Sequence, residues 1–210
     1  MTPLPTMARC AIRVLARIPL ALPLVSWGTA MPTSAAEFTR PAQQIVDEAT
    51  ITLVPPTCAG VVVGDASHAI TAAHCIGSER TLEIALSDGR RRRANVERLD
   101  REHDVALLRL QEPVPVTPLQ VASRLPRIGE ALYFGGRRDR KGSAQVFAVL
   151  QLGRCPSLPQ VENAVFTNLR ARKGDSGAPL VNKSLEVVAL VHGGARCNIA
   201  TPIVGFQPDS

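Results

Sequence analysis

Aromatic side chains are scarce in this chain: one Trp, one Tyr and five Phe, 3% of 210 residues. A core built without them must rely on Val, Leu, Ile and Ala, and a hydrophobic content of 45% is enough to supply one. That content also excludes a disordered chain. No long stretch shows helical periodicity, which argues against a helical bundle. Cys-x-x-Cys spacing is absent and no His clusters with the cysteines, so a structural zinc site finds no support. No apolar run reaches the roughly 20 residues that a membrane-spanning helix needs. Acidic residues are missing from the first 36 positions, and this one absence accounts for half of the formal charge of +6. Without Arg9, Arg13 and Arg17 the remainder carries 21 basic against 18 acidic side chains, or +3. So small an excess gives no argument for a nucleic-acid partner.

What the N-terminus does contain is an ordered pattern. Arg9, Arg13 and Arg17 precede an apolar stretch from Ile18 to Trp27, which Pro19 and Pro23 interrupt; Thr33, Ser34, Ala35 and Ala36 follow. Basic, apolar and small segments in that order read as a secretory signal peptide over residues 1–36, cleaved after Ala36. The expected destination is the periplasm or the exterior, with no stable membrane anchor. Cys10 would leave with the leader. Cys58, Cys75, Cys155 and Cys197 remain, an even number that suits two disulfides in an exported protein, with three connectivities open.

Residues 37–50 are polar and read as irregular. Short β-type runs follow: 51–54, 60–63, 69–71, 82–86, 94–98, 105–110, 131–134, 145–152, 164–169, 179–181, 187–191 and 203–206. Gly, Pro, Asp and Ser punctuate them, as at Ser87-Asp88-Gly89 and Gly135-Gly136. Short strands with frequent turns imply an all-β barrel or sandwich. Residues 111–118 carry three prolines, which resist a central strand, and divide the mature chain into 37–112 and 113–210.

Three motifs carry chemistry: Thr71-Ala72-Ala73-His74-Cys75, His103-Asp104-Val105-Ala106-Leu107-Leu108, and Gly174-Asp175-Ser176-Gly177-Ala178-Pro179-Leu180. Acyl transfer needs a nucleophile, a base to take its proton, and a carboxylate that holds the base in one tautomer. Serine, imidazole and aspartate fill those roles near neutral pH. The order His, Asp, Ser separates this chain from subtilisins, which run Asp, His, Ser, and from α/β-hydrolases, which run Ser, acid, His. Ala178 also breaks the G-x-S-x-G elbow of the latter.

TAAHC, DVALL and GDSGAPL together resemble the three signatures of the trypsin/chymotrypsin family, in order and spacing over most of residues 58–206. The resemblance implies two six-stranded antiparallel β-barrels with the site in the cleft between them. His74 and Asp104 would come from the first barrel and Ser176 from the second. It implies a serine endopeptidase that needs no cofactor, with the Gly174 and Ser176 N–H groups as oxyanion hole. A monomer acting on polypeptide substrates is the expected state. It implies that Cys58 pairs with Cys75 beside the catalytic His. Cys197 matches a cysteine beside the specificity pocket, whose usual partner position holds Arg172 here, and the implied pairing is with Cys155. The alternatives are a protease-like binding module of little or no activity and an esterase of the same fold.

Several positions depart from the family pattern. The usual Ser-Trp-Gly of the strand that pairs with substrate reads His192-Gly193-Gly194, so the support which that Ser gives the triad Asp is not assured. Arg170 matches the base of the specificity pocket, with Arg172 and Lys173 nearby; together with His192 these suggest an acidic residue before the cleaved bond. The other reading has the arginines in solvent, His192 supporting Asp104, and Ile203 closing a shallow pocket for small apolar residues. Ile45-Val46 does not follow a basic residue, so activation by a new N-terminus there is not expected. Arg137, or Arg138, matches an internal cation that pairs with the Asp before the catalytic Ser, here Asp175. His68 and His103 read as surface residues and Arg90–Arg93 as a solvated hairpin. Glu83 and Asp88 are too few for a calcium site.

Overall fold

The computed structural model describes residues 39–55, 57–136, 145–192 and 197–206. The leader, Arg137, Arg138, Gly193 and Gly194 lie outside the described residues.

Six strands close the first barrel: β1 (Thr50–Val54), β2 (Cys58–Val63), β3 (His68–Thr71), β4 (Thr81–Ala85), β5 (Arg91–Asp100) and β6 (Val105–Leu110). Their order around the barrel is β1-β2-β3-β6-β5-β4, and every pairing is antiparallel. Ile51, Leu53, Val62, Ile84, Ala94 and Leu108 fill it. After the proline-rich connection comes β7 (Gln120–Val121). The second barrel consists of β8 (Ala131–Phe134), β9 (Val146–Gly153), β10 (Ala164–Thr167), β11 (Pro179–Val181), β12 (Glu186–Val191) and β13 (Ile199–Pro202). These run β11-β8-β9-β10-β13-β12, and a β11–β12 pairing closes the antiparallel ring. The short β7 lies parallel to β12 outside that ring. Closure removes the free edges that short strands otherwise expose. Small and branched residues, among them Leu132, Val165, Ala178, Leu180 and Ala189, fill this barrel.

Residues 37–50, read from sequence as irregular, contain a helix, α1 (Arg40–Ala49). Thr39 caps it, with Oγ1 accepting from the Ala42 N–H, and Pro41 sits in its first turn. Gln43, Val46 and Ala49 form its buried face, a three-residue spacing that polar composition hides. Gln43 is the anchor. Its Nε2 donates to Phe134 O at 2.9 Å and its Oε1 accepts from the Gln145 N–H at 2.9 Å. One amide thus holds both stems of the β8–β9 connection. Ile45-Val46 lies inside this helix, with Val46 fully buried.

Two other local readings need correction. The last strand is Ile199–Pro202; Ile203–Phe206 forms a turn closed by a Phe206 N–H to Ile203 O bond. Arg90–Arg93, by contrast, lie on a largely exposed β4–β5 hairpin as expected, with Arg91–Arg93 in β5. His68 is buried at 6% exposure, with Ser67 Oγ 2.9 Å from Nδ1, and Glu97 and Arg109 near Nε2 at 3.2 and 3.1 Å.

Replacing Gln43 by Leu removes both bonds to the β8–β9 stems while keeping the helix. Each buried backbone group left unpaired costs roughly 1–3 kcal/mol. We expect Gln43→Leu to lower unfolding free energy by about 2–4 kcal/mol in urea denaturation. Exposed Gln44→Leu should change it by less than about 0.5 kcal/mol.

Candidate active site

The three motifs meet where the barrels face each other. His74 lies in a 3-10 turn, Ala73–Cys75, directly after β3. Asp104 ends the turn between β5 and β6, and its carbonyl accepts the Ala73 N–H at 3.1 Å, joining the two segments. The Cys58–Cys75 disulfide fastens the His74 turn to β2. It spans 17 residues, worth about 3 kcal/mol in the chain-entropy description. Asp104 has φ +57°, a left-handed conformation that costs a non-glycine residue about 1–2 kcal/mol. That conformation turns the carbonyl to Ala73 and the carboxylate to His74.

Asp104 is 4% exposed and receives donors on both oxygens. The His74 backbone N–H reaches Oδ1 at 2.9 Å, and His74 Nδ1 lies 3.0 Å from Oδ1 and 2.9 Å from Oδ2. His192, immediately after β12, brings its Nδ1 onto Oδ2. Burial alone would push the Asp104 pKa up. The hydrogen bonds from His192 and His74, with the His74 charge, outweigh burial and hold it well below its ordinary 3.8. The two imidazoles meet edge to face, their centroids 4.8 Å apart.

Ser176 stands in the turn before β11. Its Oγ donates to His192 O at 3.1 Å, and its carbonyl accepts the Ala59 N–H from β2 at 2.7 Å. Asp175 is buried, and its Oδ2 accepts the Arg172 N–H at 2.7 Å. Gly174 takes φ +98° and Gly177 φ +80°. A Cβ on Gly177 would lie 2.1 Å from Ala59 O and 2.5 Å from Thr71 Oγ1, so the turn seats against β2 only with glycine there. Thr71 Oγ1 itself donates to Ala59 O at 2.6 Å. Among the described residues, no backbone acceptor pairs with the Gly174 or Ser176 N–H. Ala59 and Thr71 are structural partners that motif reading passes over. Thr71 lies inside TAAHC, but nothing in the sequence marks Ala59 as the seat of the Ser176 turn.

Arg170, Arg172 and Lys173 are exposed. Ile203 packs in the core shared with Val61, Val105 and Tyr133, and lines a cavity of about 510 Å³ with Arg98, His103 and Thr201. A second disulfide, Cys155–Cys197, joins the loop after β9 to the entry of β13. His74, Asp104 and His192 offer three ligating atoms within 4.8 Å of one another. Those atoms are engaged in hydrogen bonds with each other around a buried carboxylate, an arrangement suited to orienting an imidazole. Cys58 and Cys75 are spent in their disulfide.

Residues 58–190 match the trypsin-like peptidase domain. The chain belongs to that family. Among curated members it is 28% identical over 135 residues to the periplasmic serine endoprotease DegP of Salmonella typhimurium, covering 62% of this chain and 28% of that protein. To the periplasmic pH-dependent serine endoprotease DegQ of Escherichia coli it is 28% identical, covering 62% of this chain and 30% of that protein. The chain therefore spans under a third of these relatives. Among solved structures, the serine endoprotease from Yersinia pestis superposes with a TM-score of 0.60 at 18% identity, covering 79% of this chain and 62% of that one. This likeness supports the trypsin-like double-barrel fold.

Two outcomes follow from the site's packing. Gly177→Ala combines a steric clash with positive φ and should cost more than about 3 kcal/mol or prevent folding. Gly129→Ala, at φ +84° with nothing within 4 Å of the added Cβ, should cost only about 1–2 kcal/mol. Asp104 contributes to the pH dependence of stability. Its folded pKa is depressed, so its contribution is present above pH 3.8 and is lost as pH falls toward the folded value. The stability difference between the parent and Asp104→Asn, measured in urea at several pH values, should shrink below about pH 4.

Proposed function

We propose that this chain is an exported serine endopeptidase that hydrolyses peptide bonds through an acyl-enzyme on Ser176. The supporting observation is the His74–Asp104 contact. With Nδ1 turned onto a buried carboxylate, His74 presents Nε2 as the base, and Asp104 stabilises the imidazolium that forms when the base takes a proton. The relatives named as periplasmic serine endoproteases agree with this reading and with export.

Ser176 Oγ turns from His192 O toward His74 Nε2, gives up its proton and attacks the substrate carbonyl carbon. The Gly174 and Ser176 N–H groups receive the oxyanion; losing one such donor typically costs roughly 10²–10³ in rate. Protonated His74 then gives its proton to the leaving amine. Water, activated by His74, hydrolyses the ester and restores Ser176. No step calls on a cofactor. Gly193 and Gly194, next in the sequence after His192, take the role of pairing with the substrate backbone. Arg170, Arg172 and Lys173 stand in solvent and His192 Nδ1 is on Asp104, which supports a small apolar residue rather than an acidic one next to the cleaved bond. The working unit is a monomer, and the substrate is a polypeptide.

A fluorophosphonate should label the parent at Ser176 and leave Ser176→Ala unlabelled. Casein or peptide hydrolysis by Ser176→Ala should fall by roughly 10⁴ or more with an unchanged circular dichroism spectrum. Residual kcat within tenfold of the parent would falsify the assignment.

A further inference from the structure

We propose that His192 is a positioning residue for this site: its neutral imidazole, protonated at Nδ1, shares Asp104 with His74 and fixes the carboxylate from the second barrel. The inference rests on the serine-peptidase reading above. Asp104 Oδ1 is held entirely by His74, through the backbone N–H and Nδ1. Oδ2 is shared between His74 Nδ1 and His192 Nδ1. Of these donors only His192 comes from the second barrel, so it alone ties the carboxylate to the wall that carries Ser176. The residue is itself fixed. Its N–H donates to Ile199 O at 2.9 Å, and its carbonyl accepts from Ser176 Oγ.

Donation to Asp104 requires the Nδ1 proton, and the neutral tautomer then leaves Nε2 bare. In that form the cluster keeps one negative charge to balance the His74 imidazolium. A protonated His192 would set a second cation against His74, across a centroid separation of 4.8 Å, and oppose the imidazolium that acyl transfer needs. Its charged neighbours are few. Asp104 faces it from the β5–β6 turn and His74 from the 3-10 turn. The Ser176 turn contributes Asp175, with Oδ2 on the Arg172 N–H, and the exposed side chains of Arg172 and Lys173.

The test compares the full-length parent with His192→Asn, which keeps a neutral donor, and His192→Leu, which keeps volume alone. We expect His192→Leu to lower kcat by roughly tenfold to a hundredfold, the weight of a hydrogen bond to a charged group, with KM changed less than about threefold. His192→Asn should recover kcat to within about threefold of the parent, because its amide restores the neutral donor. In a Ser176→Ala background, low-field proton NMR should show an imidazole N–H from each of His74 and His192, and His192→Leu should remove one. The NMR arm needs no catalysis and decides the hydrogen bond even if the parent proves not to be a peptidase. If His192→Leu does not fold, the Asn variant and the parent spectrum decide. The proposal is overturned if His192→Leu keeps kcat within twofold, if both variants lower only the melting temperature, or if the parent spectrum lacks the His192 proton.

Discussion

A carboxylate at 4% exposure stays ionised only where hydrogen bonds replace the water it has lost, and Asp104 sets that requirement at the centre of this molecule. Its donors cannot come from one segment. His74 approaches from the turn after β3 and His192 from the end of β12, so the two barrels must meet in one register to satisfy one charge. The left-handed backbone of Asp104 is part of the same arrangement, since its carbonyl accepts Ala73 N–H while its side chain faces His74. Truncating Asp104 would remove the common acceptor of three donors, so its effects on stability and on His74 orientation are inseparable.

The second contact between the barrels is made of backbone. Ala59 donates to Ser176 O, Thr71 closes on Ala59 O, and Gly177 leaves the space that lets these groups approach. Ser176 is thus held on one side by β2 of the first barrel and on the other by His192 of its own. The serine therefore does not depend on its flanking loop alone for position. The Cys58–Cys75 disulfide secures β2 to the His74 turn, so the seat of the Ser176 turn and the imidazole are covalently joined. The short Ser176 turn is thereby fixed at several points.

Much of this was legible in the sequence for a definite reason. Strands of alternating or continuous Val, Leu, Ile and Ala, broken by Gly, Pro and Asp, carry the all-β signal locally, and the two-barrel arrangement came from the resemblance that TAAHC, DVALL and GDSGAPL support. Helix α1 was not legible, because its buried face includes Gln43, whose burial depends on Phe134 and Gln145 some ninety to a hundred residues away. His68 was misread as a surface residue for the same reason: its partners Glu97 and Arg109 reach it only across the β3–β6–β5 sheet. The end of the chain was misplaced by a few residues, since Ile203-Val204 reads as strand by composition while Pro202 ends the ladder. For His192, the sequence left two roles open, a contact with substrate and a contact with Asp104. Only the course of β12 past the Asp104 turn brings its Nδ1 onto the carboxylate.

The segment before Ser176 is tied to the region of Cys197 by a hydrogen bond rather than by a disulfide. The family resemblance expects the cysteine beside the specificity pocket to pair with a position just before the serine, which is Arg172 here. Instead Cys197 is bonded to Cys155, across 42 residues, worth about 4 kcal/mol in the chain-entropy description. That bond gathers Leu158, Val161, Ala164 and Ile199 into a small core of their own beside the second barrel. The connection from the Ser176 loop to this region remains, but as a hydrogen bond: Ala171 N–H donates to Asn198 Oδ1 at 3.0 Å, one residue beyond Cys197. Such a bond contributes about 1 kcal/mol and breaks reversibly. Stability is thus concentrated on the outer loop, while the segment that carries Gly174 and Ser176 relies on hydrogen bonds and on its seat against β2. The bonds that position the serine are therefore the ones that hold the loop, and a change at Asn198 acts on the site through Ala171 rather than through the fold as a whole.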